Sequence, residues 1–178
     1  MNVDSSKTLC VMGLFDRNAN DAFCDLYSKM AQRGFSMKQQ EPHLTFGIYD
    51  HLDQKGLLDW VAEIARTQKK INVNFNHIGL FRQGICFAEP CANRELLELH
   101  QKIHSKYDQN CTDMNCLYSL KAKSWVPHVT LATMEPDQMG LFLPSVLALF
   151  QPIQATVMEL EITEYAPLKS IQKYSLSE

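Results

Sequence analysis

Two short segments in opposite halves of the chain have nearly the same sequence: PHLTF at 42–46 and PHVTL at 127–131. Each lies in a stretch that alternates apolar and polar residues, which predicts a β-strand. Side chains two positions apart lie on the same face of a strand. His43 and Thr45 are therefore expected on one face, and the apolar residues between and after them on the other face, toward a core. In the second segment, His128 and Thr130 are likewise expected on one face, and Val129 and Leu131 on the other.

Strands and helices alternate along the rest of the chain. The first helix is predicted to be capped by Asn20 or Asp21 and to end at Gly34. No Pro-, Gly- or Ser-rich linker separates the halves, so residues 1–178 are predicted to form one α+β domain of two similar, interleaved lobes around a shared cleft. The periodicity predicts strands at 7–15, 40–49, 72–81, 85–88, 124–133, 155–165 and 170–176, and helices at 18–33, 53–67, 93–106 and 136–150.

Composition narrows the class of protein. Hydrophobic residues make up 46% of the chain and charged residues 21%, which is ordinary for a globular protein. The net charge of −3 argues against a protein that binds nucleic acid over its whole surface, but it is compatible with a local site for a small anion. The start of the chain lacks the features of a signal peptide, and no segment is apolar enough to span a membrane. The six scattered cysteines predict free thiols in a reduced, cytoplasmic protein.

The paired histidines indicate acid–base chemistry at phosphorus. Cleavage of a phosphodiester by water needs one group that takes a proton from the nucleophile and one that gives a proton to the leaving oxygen. Histidine has the side-chain pKa nearest neutrality, so His43 and His128 can supply one neutral and one charged ring. The hydroxyls of Thr45 and Thr130, on the same faces, are suited to bind the phosphate oxygens on which negative charge develops.

These motifs resemble those of the 2H phosphoesterase superfamily, which includes 2′,5′-RNA ligase-like proteins and cyclic nucleotide phosphodiesterases. The signature of that family is a pair of His-φ-Ser/Thr-φ motifs, where φ is apolar, and here the two histidines are 85 positions apart. The segment from Phe75 to Ala88 is similar to the central hairpin of the family. The segment from Leu160 to Leu176 is similar to its terminal hairpin, so the resemblance covers nearly the whole chain.

The resemblance implies a bilobal α+β fold, with antiparallel sheets lining a central cleft and helices outside. It implies that His43 and His128 are the acid–base pair, that Thr45 and Thr130 bind phosphate, and that no metal or organic cofactor takes part. The expected activity is hydrolysis of a 2′,3′-cyclic phosphate, or of a related 2′-linked phosphodiester, on a nucleotide or RNA end. The protein is expected to be a monomer that neither binds a membrane nor needs an obligate protein partner.

Two alternative functions remain open. The same histidines could serve a 2′,5′-oligonucleotide phosphodiesterase or an RNA 2′,5′-ligase. A protein of another class would bind RNA ends in the same pocket without turnover, although intact His and Thr residues in both motifs argue against it.

Other residues give weaker predictions. A groove for a nucleotide often stacks the base on an aromatic ring. Tyr49 shares the parity of His43, and Tyr165 is expected to face the groove or solvent, so both are candidates for substrate binding. A zinc site is a further hypothesis, because two histidines one helical turn apart are followed by two cysteines, although the spacing fits no familiar zinc motif. Those four residues are His100, His104, Cys111 and Cys116.

Overall fold

The computed structural model describes residues 7–165 and 168–178, and it contains seven strands and four α-helices in the order expected from the sequence. Three short 3₁₀ helices, at Asp108–Asn110, Asp113–Tyr118 and Pro136–Gln138, lie in the connections. The strands are β1 (Leu9–Phe15), β2 (His43–Tyr49), β3 (Ile71–Phe81), β4 (Ile85–Pro90), β5 (Val129–Thr133), β6 (Ile153–Glu164) and β7 (Lys169–Ser175). The helices are α1 (Arg17–Gln32), α2 (Gln54–Thr67), α3 (Arg94–Tyr107) and α4 (Met139–Leu149).

Short polar side chains set the helix starts. Asp53 and Asn93 precede α2 and α3, and each accepts a hydrogen bond from the backbone N–H three residues later, at 2.9 Å. The prediction that Asn20 or Asp21 caps α1 is wrong, because the Asp16 carboxylate accepts from the Ala19 N–H at 3.1 Å. The helix therefore begins one turn earlier than those two residues. Its end is as predicted, since Gly34 adopts a positive φ of 88° just beyond it.

The long strand β6 is shared by two antiparallel half-sheets. The hydrogen-bonded order is β2-β1-β6-β3-β4-β5, and β7 also pairs with β6. Val157 is opposite Phe15 of β1 and Ile71 of β3, so these two strands lie on opposite edges of β6. β7 pairs with residues 159–164, beyond the end of β3. One half is thus β2-β1-β6-β7 and the other is β6-β3-β4-β5, which confirms the predicted two-lobed α+β fold.

The two ends of this strand order approach each other. β2 and β5 are the end strands, yet they are in contact. The Lys38 N–H, just before β2, donates to the Leu131 carbonyl of β5 at 2.8 Å. The sheet therefore curls, and the two strands that carry the His-x-Thr motifs become neighbours.

The helices cover the face of the sheet opposite the motif histidines. Phe23 of α1 packs edge-on against Phe75 of β3, with ring centroids 5.3 Å apart, and lies 6.0 Å from Phe15 of β1. Leu44 and Phe46 of β2 point into the same core and are fully buried. The alternation predicted for the first motif is therefore confirmed, because its apolar residues are covered by helices and its polar residues face the other way.

Asp50 anchors the connection between α3 and β5 to the end of β2. Its carboxylate accepts hydrogen bonds from the hydroxyl of Thr8 at 2.7 Å, the hydroxyl of Thr112 at 2.8 Å and the amide of Asn115 at 2.9 Å. Burial alone would raise the pKa of Asp50, but these hydrogen bonds outweigh it and hold the pKa below its ordinary value of 3.8. The ionised form therefore stabilises the fold.

We predict that Asp50→Ala lowers the free energy of unfolding at pH 7 by about 2–3 kcal/mol, because three hydrogen bonds to a charged group are lost. Since the pKa of Asp50 is lowered by folding, its contribution is present above pH 3.8 and is lost as the pH falls below that value. Urea denaturation at pH 7 and pH 3 measures both effects. The control is Asp59→Ala, which removes only a solvent-exposed helical ion pair with Lys55 and should change the stability much less. Equal losses in the two variants at pH 7 would contradict the anchoring role.

Candidate active site

The first motif residue, His43, begins β2, and its ring is held by the backbone. Its Nδ1 lies 2.7 Å from the Glu41 carbonyl oxygen. A carbonyl only accepts a hydrogen bond, so Nδ1 carries the proton and donates it. In the neutral ring, Nε2 is then the unprotonated nitrogen and is free to accept a proton.

The second motif repeats this arrangement. His128 directly precedes β5, and its Nδ1 donates to the Val126 carbonyl at 2.7 Å. The motif residue Thr130 is half-buried, while its neighbours Val129 and Leu131 are buried in the core. Both histidines therefore have the same tautomer, and both leave Nε2 available.

The pKa of both motif histidines lies below the ordinary value of free imidazole. Burial lowers the pKa of His43 and of His128 from the ordinary value of 6.5, because it disfavours the charged ring. For His128, the charge of His43 lowers the pKa further. The contact between β2 and β5 supports the prediction that the two motif histidines face one site, and their shared role there stays a prediction.

Two phenylalanines of the central hairpin hold the ring of His128. The ring of Phe81 meets it edge-on with centroids 5.0 Å apart, and the ring of Phe87 lies at 5.1 Å. These contacts limit the rotation of the imidazole and exclude water from one side of it. No local pattern in the sequence marks either residue, because their contacts with His128 join segments that are more than 40 positions apart in the chain.

Hydrogen bonds to backbone carbonyls tie the motif strands to the scaffold. The Trp125 indole N–H donates to the Thr45 carbonyl at 3.1 Å, and its ring stacks on His100 at 3.9 Å with an angle of 4°. The Tyr27 hydroxyl of α1 donates to the Thr130 carbonyl at 3.2 Å. The backbone of each motif threonine is thus fixed by an aromatic side chain, and Trp125 packs against the core.

A small apolar cluster forms the groove beside Thr45. Cys10, Met12 and Ile48 are buried there, and Tyr118 and Leu168 pack on them. Burial raises the pKa of the Cys10 thiol to about 12, so this cysteine stays protonated and unreactive. Tyr118, which ends the 3₁₀ helix Asp113–Tyr118, brings the connection after α3 over the groove. Sequence reasoning missed it, because it lies outside any periodic segment.

A cavity of about 150 Å³ opens beside His43. Met12, Leu14 and Leu168 form apolar parts of its wall, and Glu161 and Thr163 of β6 contribute polar groups. The cavity is therefore next to the acid–base site and has both a hydrophobic surface and hydrogen-bonding groups.

The prediction that Tyr49 faces the groove is wrong. Its ring is fully buried in the core and lies 5.3 Å from the ring of His104. The cause is a β-bulge: Val11 of β1 is opposite Gly47, but the next residue, Met12, is opposite Thr45. The extra residue in β2 reverses the alternation, so positions after the bulge exchange faces. A buried ring at this position cannot stack on a substrate.

Tyr165 lies at the end of β6 and is 44% exposed. Its backbone N–H donates to the Thr8 carbonyl at 2.9 Å. This position agrees with the expectation that it faces the groove or solvent, and its role in binding stays a prediction.

The four residues of the zinc hypothesis do not converge. His100 and His104 donate from Nε2 to the carbonyls of Tyr118 and Phe46, at 2.9 and 2.8 Å, and Cys116 is exposed. Within the described ranges, ligand atoms of His104 and Cys111 do lie within 4.8 Å of each other and of an Asp108 oxygen.

Asp108 itself is engaged in hydrogen bonds. Its carboxylate accepts from the hydroxyl of Ser119 and the N–H of Leu120, both at 2.8 Å. A hydrogen-bonded network that fixes the connection after α3 accounts for these groups.

The fold matches that of the 2H phosphoesterase class of proteins. The sequence profile described as the 2'-5' RNA ligase superfamily matches residues 26–167, so the chain belongs to this superfamily of 2H phosphoesterases. No curated protein matches the chain. No helix in the described residues is long and apolar enough to cross a membrane.

Solved structures show the same fold. Escherichia coli LigT complexed with NADP+ has a TM-score of 0.67 at 12% identity, with 98% of this chain and 100% of that chain covered. The protein TT0787 of Thermus thermophilus has a TM-score of 0.66 at 17% identity, with 95% of this chain and 97% of that chain covered. LigT complexed with 3'-AMP has a TM-score of 0.66 at 13% identity, with 98% of this chain and 100% of that chain covered. At these identities, the likeness establishes the fold alone.

We predict that His43→Ala raises the pKa of His128, because it removes a neighbouring positive charge. NMR titration of the imidazole resonances measures the shift. The matched control is His77→Ala, which removes an exposed histidine of β3 and should leave the titration of His128 unchanged. An unchanged pKa of His128 in His43→Ala would mean that the two rings are not coupled.

Proposed function

We propose that the protein hydrolyses a 2′,3′-cyclic phosphate, or a related 2′-linked phosphodiester, on a nucleotide or RNA end. The observation that carries this proposal is the matched pair of histidines. His43 and His128 each use Nδ1 in a backbone hydrogen bond, and each keeps Nε2 free. Membership of the 2'-5' RNA ligase superfamily supports this class of reaction.

The chemistry follows from the two rings. One neutral Nε2 accepts a proton from water as the water oxygen forms a bond to phosphorus. The other ring, protonated, gives its proton to the ribose oxygen as the P–O bond breaks. The hydroxyls of Thr45 and Thr130 donate hydrogen bonds to the non-bridging oxygens, where negative charge increases in the transition state. Which ring is the acid depends on which oxygen leaves.

Ligation is the second candidate, and the superfamily description favours it. If a 5′-hydroxyl replaces water as the nucleophile, the same rings join it to the phosphorus of the cyclic phosphate while the P–O3′ bond breaks and the 3′-oxygen is protonated, which makes a 2′,5′-ligase. By microscopic reversibility, attack of the 3′-hydroxyl on a 2′,5′-linkage then cleaves it to the cyclic phosphate and releases the 5′-hydroxyl. The net charge of −3 favours small substrates, because binding of a long polyanion depends on many Lys and Arg contacts.

We predict that His43→Ala and His128→Ala each lower the rate of cyclic phosphate hydrolysis by on the order of 10²–10⁴-fold, because each removes one proton-transfer group. Chromatographic product analysis of the four 2′,3′-cyclic mononucleotides and of a 2′,5′-linked oligonucleotide measures the loss. The same assay identifies the preferred reaction. His77→Ala is the control and should retain full activity.

Two results would contradict this assignment. Near-normal turnover in both motif variants would remove the histidines from the mechanism. Tight binding of a cyclic phosphate without any product would make the protein a binding module for RNA ends.

We predict a bell-shaped pH profile whose kcat/KM maximum lies below pH 6.5. The profile requires one neutral and one protonated ring, and kcat/KM reports the pKa values of the free enzyme. Burial lowers both pKa values from 6.5, so each ring becomes protonated only at a lower pH than free imidazole. A bound phosphate anion favours protonation, so kcat should peak at a higher pH than kcat/KM. Initial rates from pH 4 to 9 test this, and a kcat/KM maximum above pH 7 would contradict it.

A further inference from the structure

Two buried polar side chains in the groove lack partners. Five polar or charged residues are buried in the described part of the chain: His100, His104, Ser119, Glu161 and Thr163. The first three make hydrogen bonds to the protein. The hydroxyl of Thr163, only 2% exposed, has no oxygen or nitrogen partner among the described residues and lies beside the Cys10 thiol. Glu161 is 5% exposed, and its carboxylate makes no hydrogen bond or ion pair with the described residues.

The arrangement of the strands directs both groups toward the site. Glu161 of β6 is opposite Met12 of β1, which in turn is opposite Thr45 of β2. Both Glu161 and Thr163 line the 150 Å³ cavity together with His43. A space of about 10–15 Å³ already holds one water, so this cavity takes a much larger group.

No lysine or arginine among the described residues pairs with Glu161, and the ionisable group that shares its cavity is His43, whose pKa the charge of Glu161 raises against the larger effect of burial. Lys173 is its neighbour in register on β7, but the ammonium group of Lys173 pairs with Glu41 at 3.4 Å. A buried carboxylate without hydrogen bonds is costly, and so is a buried hydroxyl without a partner. Such groups are retained at low cost where a bound ligand supplies the missing donors.

The proposed function limits what that ligand is. In a nucleoside 2′,3′-cyclic phosphate, both ribose oxygens of the reacting ring are bonded to phosphorus, so the base edge and the 5′-hydroxyl carry the remaining donors. The apolar side chains of Met12, Leu14 and Leu168 suit the flat face of a base. A carboxylate accepts well from an exocyclic amino group, as Asp and Glu do from the amino group of cytosine.

We propose, building on the proposed function, that this cavity is a nucleobase subsite in which Glu161 accepts a hydrogen bond from an exocyclic amino group. Cytosine, adenine and guanine offer such a group. Uracil has a carbonyl oxygen where cytosine has the amino group, and that oxygen would face the carboxylate as a second acceptor. The subsite therefore selects against uridine substrates. Cytidine and uridine substrates give the most direct comparison, because the two bases differ at the position of the amino group.

The test compares kcat/KM for the four 2′,3′-cyclic mononucleotides between the wild-type protein and Glu161→Gln. The wild type should prefer cytidine over uridine by about tenfold or more. Glu161→Gln should bring the ratio within about threefold, because an amide both donates and accepts. The control is Glu164→Gln on the same strand, which loses an ion pair with Lys7 and should keep the wild-type ratio. Thermal denaturation verifies that the variants are folded.

Other results would overturn the subsite. The subsite is excluded if the wild-type protein does not distinguish the bases. It is also excluded if Glu161→Gln keeps the wild-type ratio of kcat/KM for cytidine and uridine substrates, or if this variant loses the same factor in kcat/KM on all four substrates. An equal loss with a shifted pH profile would mean that Glu161 acts on His43. If the wild type turns over none of the four, the proposed function fails. Calorimetric titration with 3′-CMP and 3′-UMP then still tests the subsite, through a preference for CMP that Glu161→Gln should abolish.

Discussion

The approach of β2 to β5 is the constraint on which the site depends. These strands are at opposite ends of the hydrogen-bonded order, and each carries one His-x-Thr motif. They meet because β6 pairs with β1 on one edge and with β3 and then β7 on the other, so two half-sheets extend from one strand and curl together. The core between these half-sheets and the helices holds the curvature, since burial of apolar surface is the main stabilising term.

The four buried or half-buried histidines of α3 and the motifs serve two different purposes. His43 and His128 use Nδ1 to fix the ring and leave Nε2 toward the groove. His100 and His104 use Nε2 to hold the carbonyls of Tyr118 and Phe46, so they brace the elements around the first motif. Burial and the charge of His104 lower the pKa of His100 to about 4, which keeps its ring neutral near pH 7. The same residue type is therefore reactive or structural according to which nitrogen the backbone occupies.

The bulge in β2 shows how one extra residue shapes the groove. It lies at the last residue of the first motif, where Phe46 is the additional residue of β2. Before the bulge, Thr45 faces the groove; after it, Ile48 faces the groove and Tyr49 enters the core. The His104 hydrogen bond to the Phe46 carbonyl satisfies a backbone group at this irregular point. The bulge thus allows β2 to bend toward β5 without an unpaired buried carbonyl there.

Local patterns of the sequence determined the strands, the helices and the parity of the two motifs, because alternation with period 2 and period 3.6 is set by neighbouring residues. The two His-x-Thr motifs also carry the family resemblance on which the proposed roles of His43 and His128 rest. Tertiary structure alone decided the bulge that reversed Tyr49, the contact of Phe81 with His128, and the burial of Glu161 without a partner. Each of these depends on which strands pair and in what register, and pairing across many residues leaves no periodic signal in the chain.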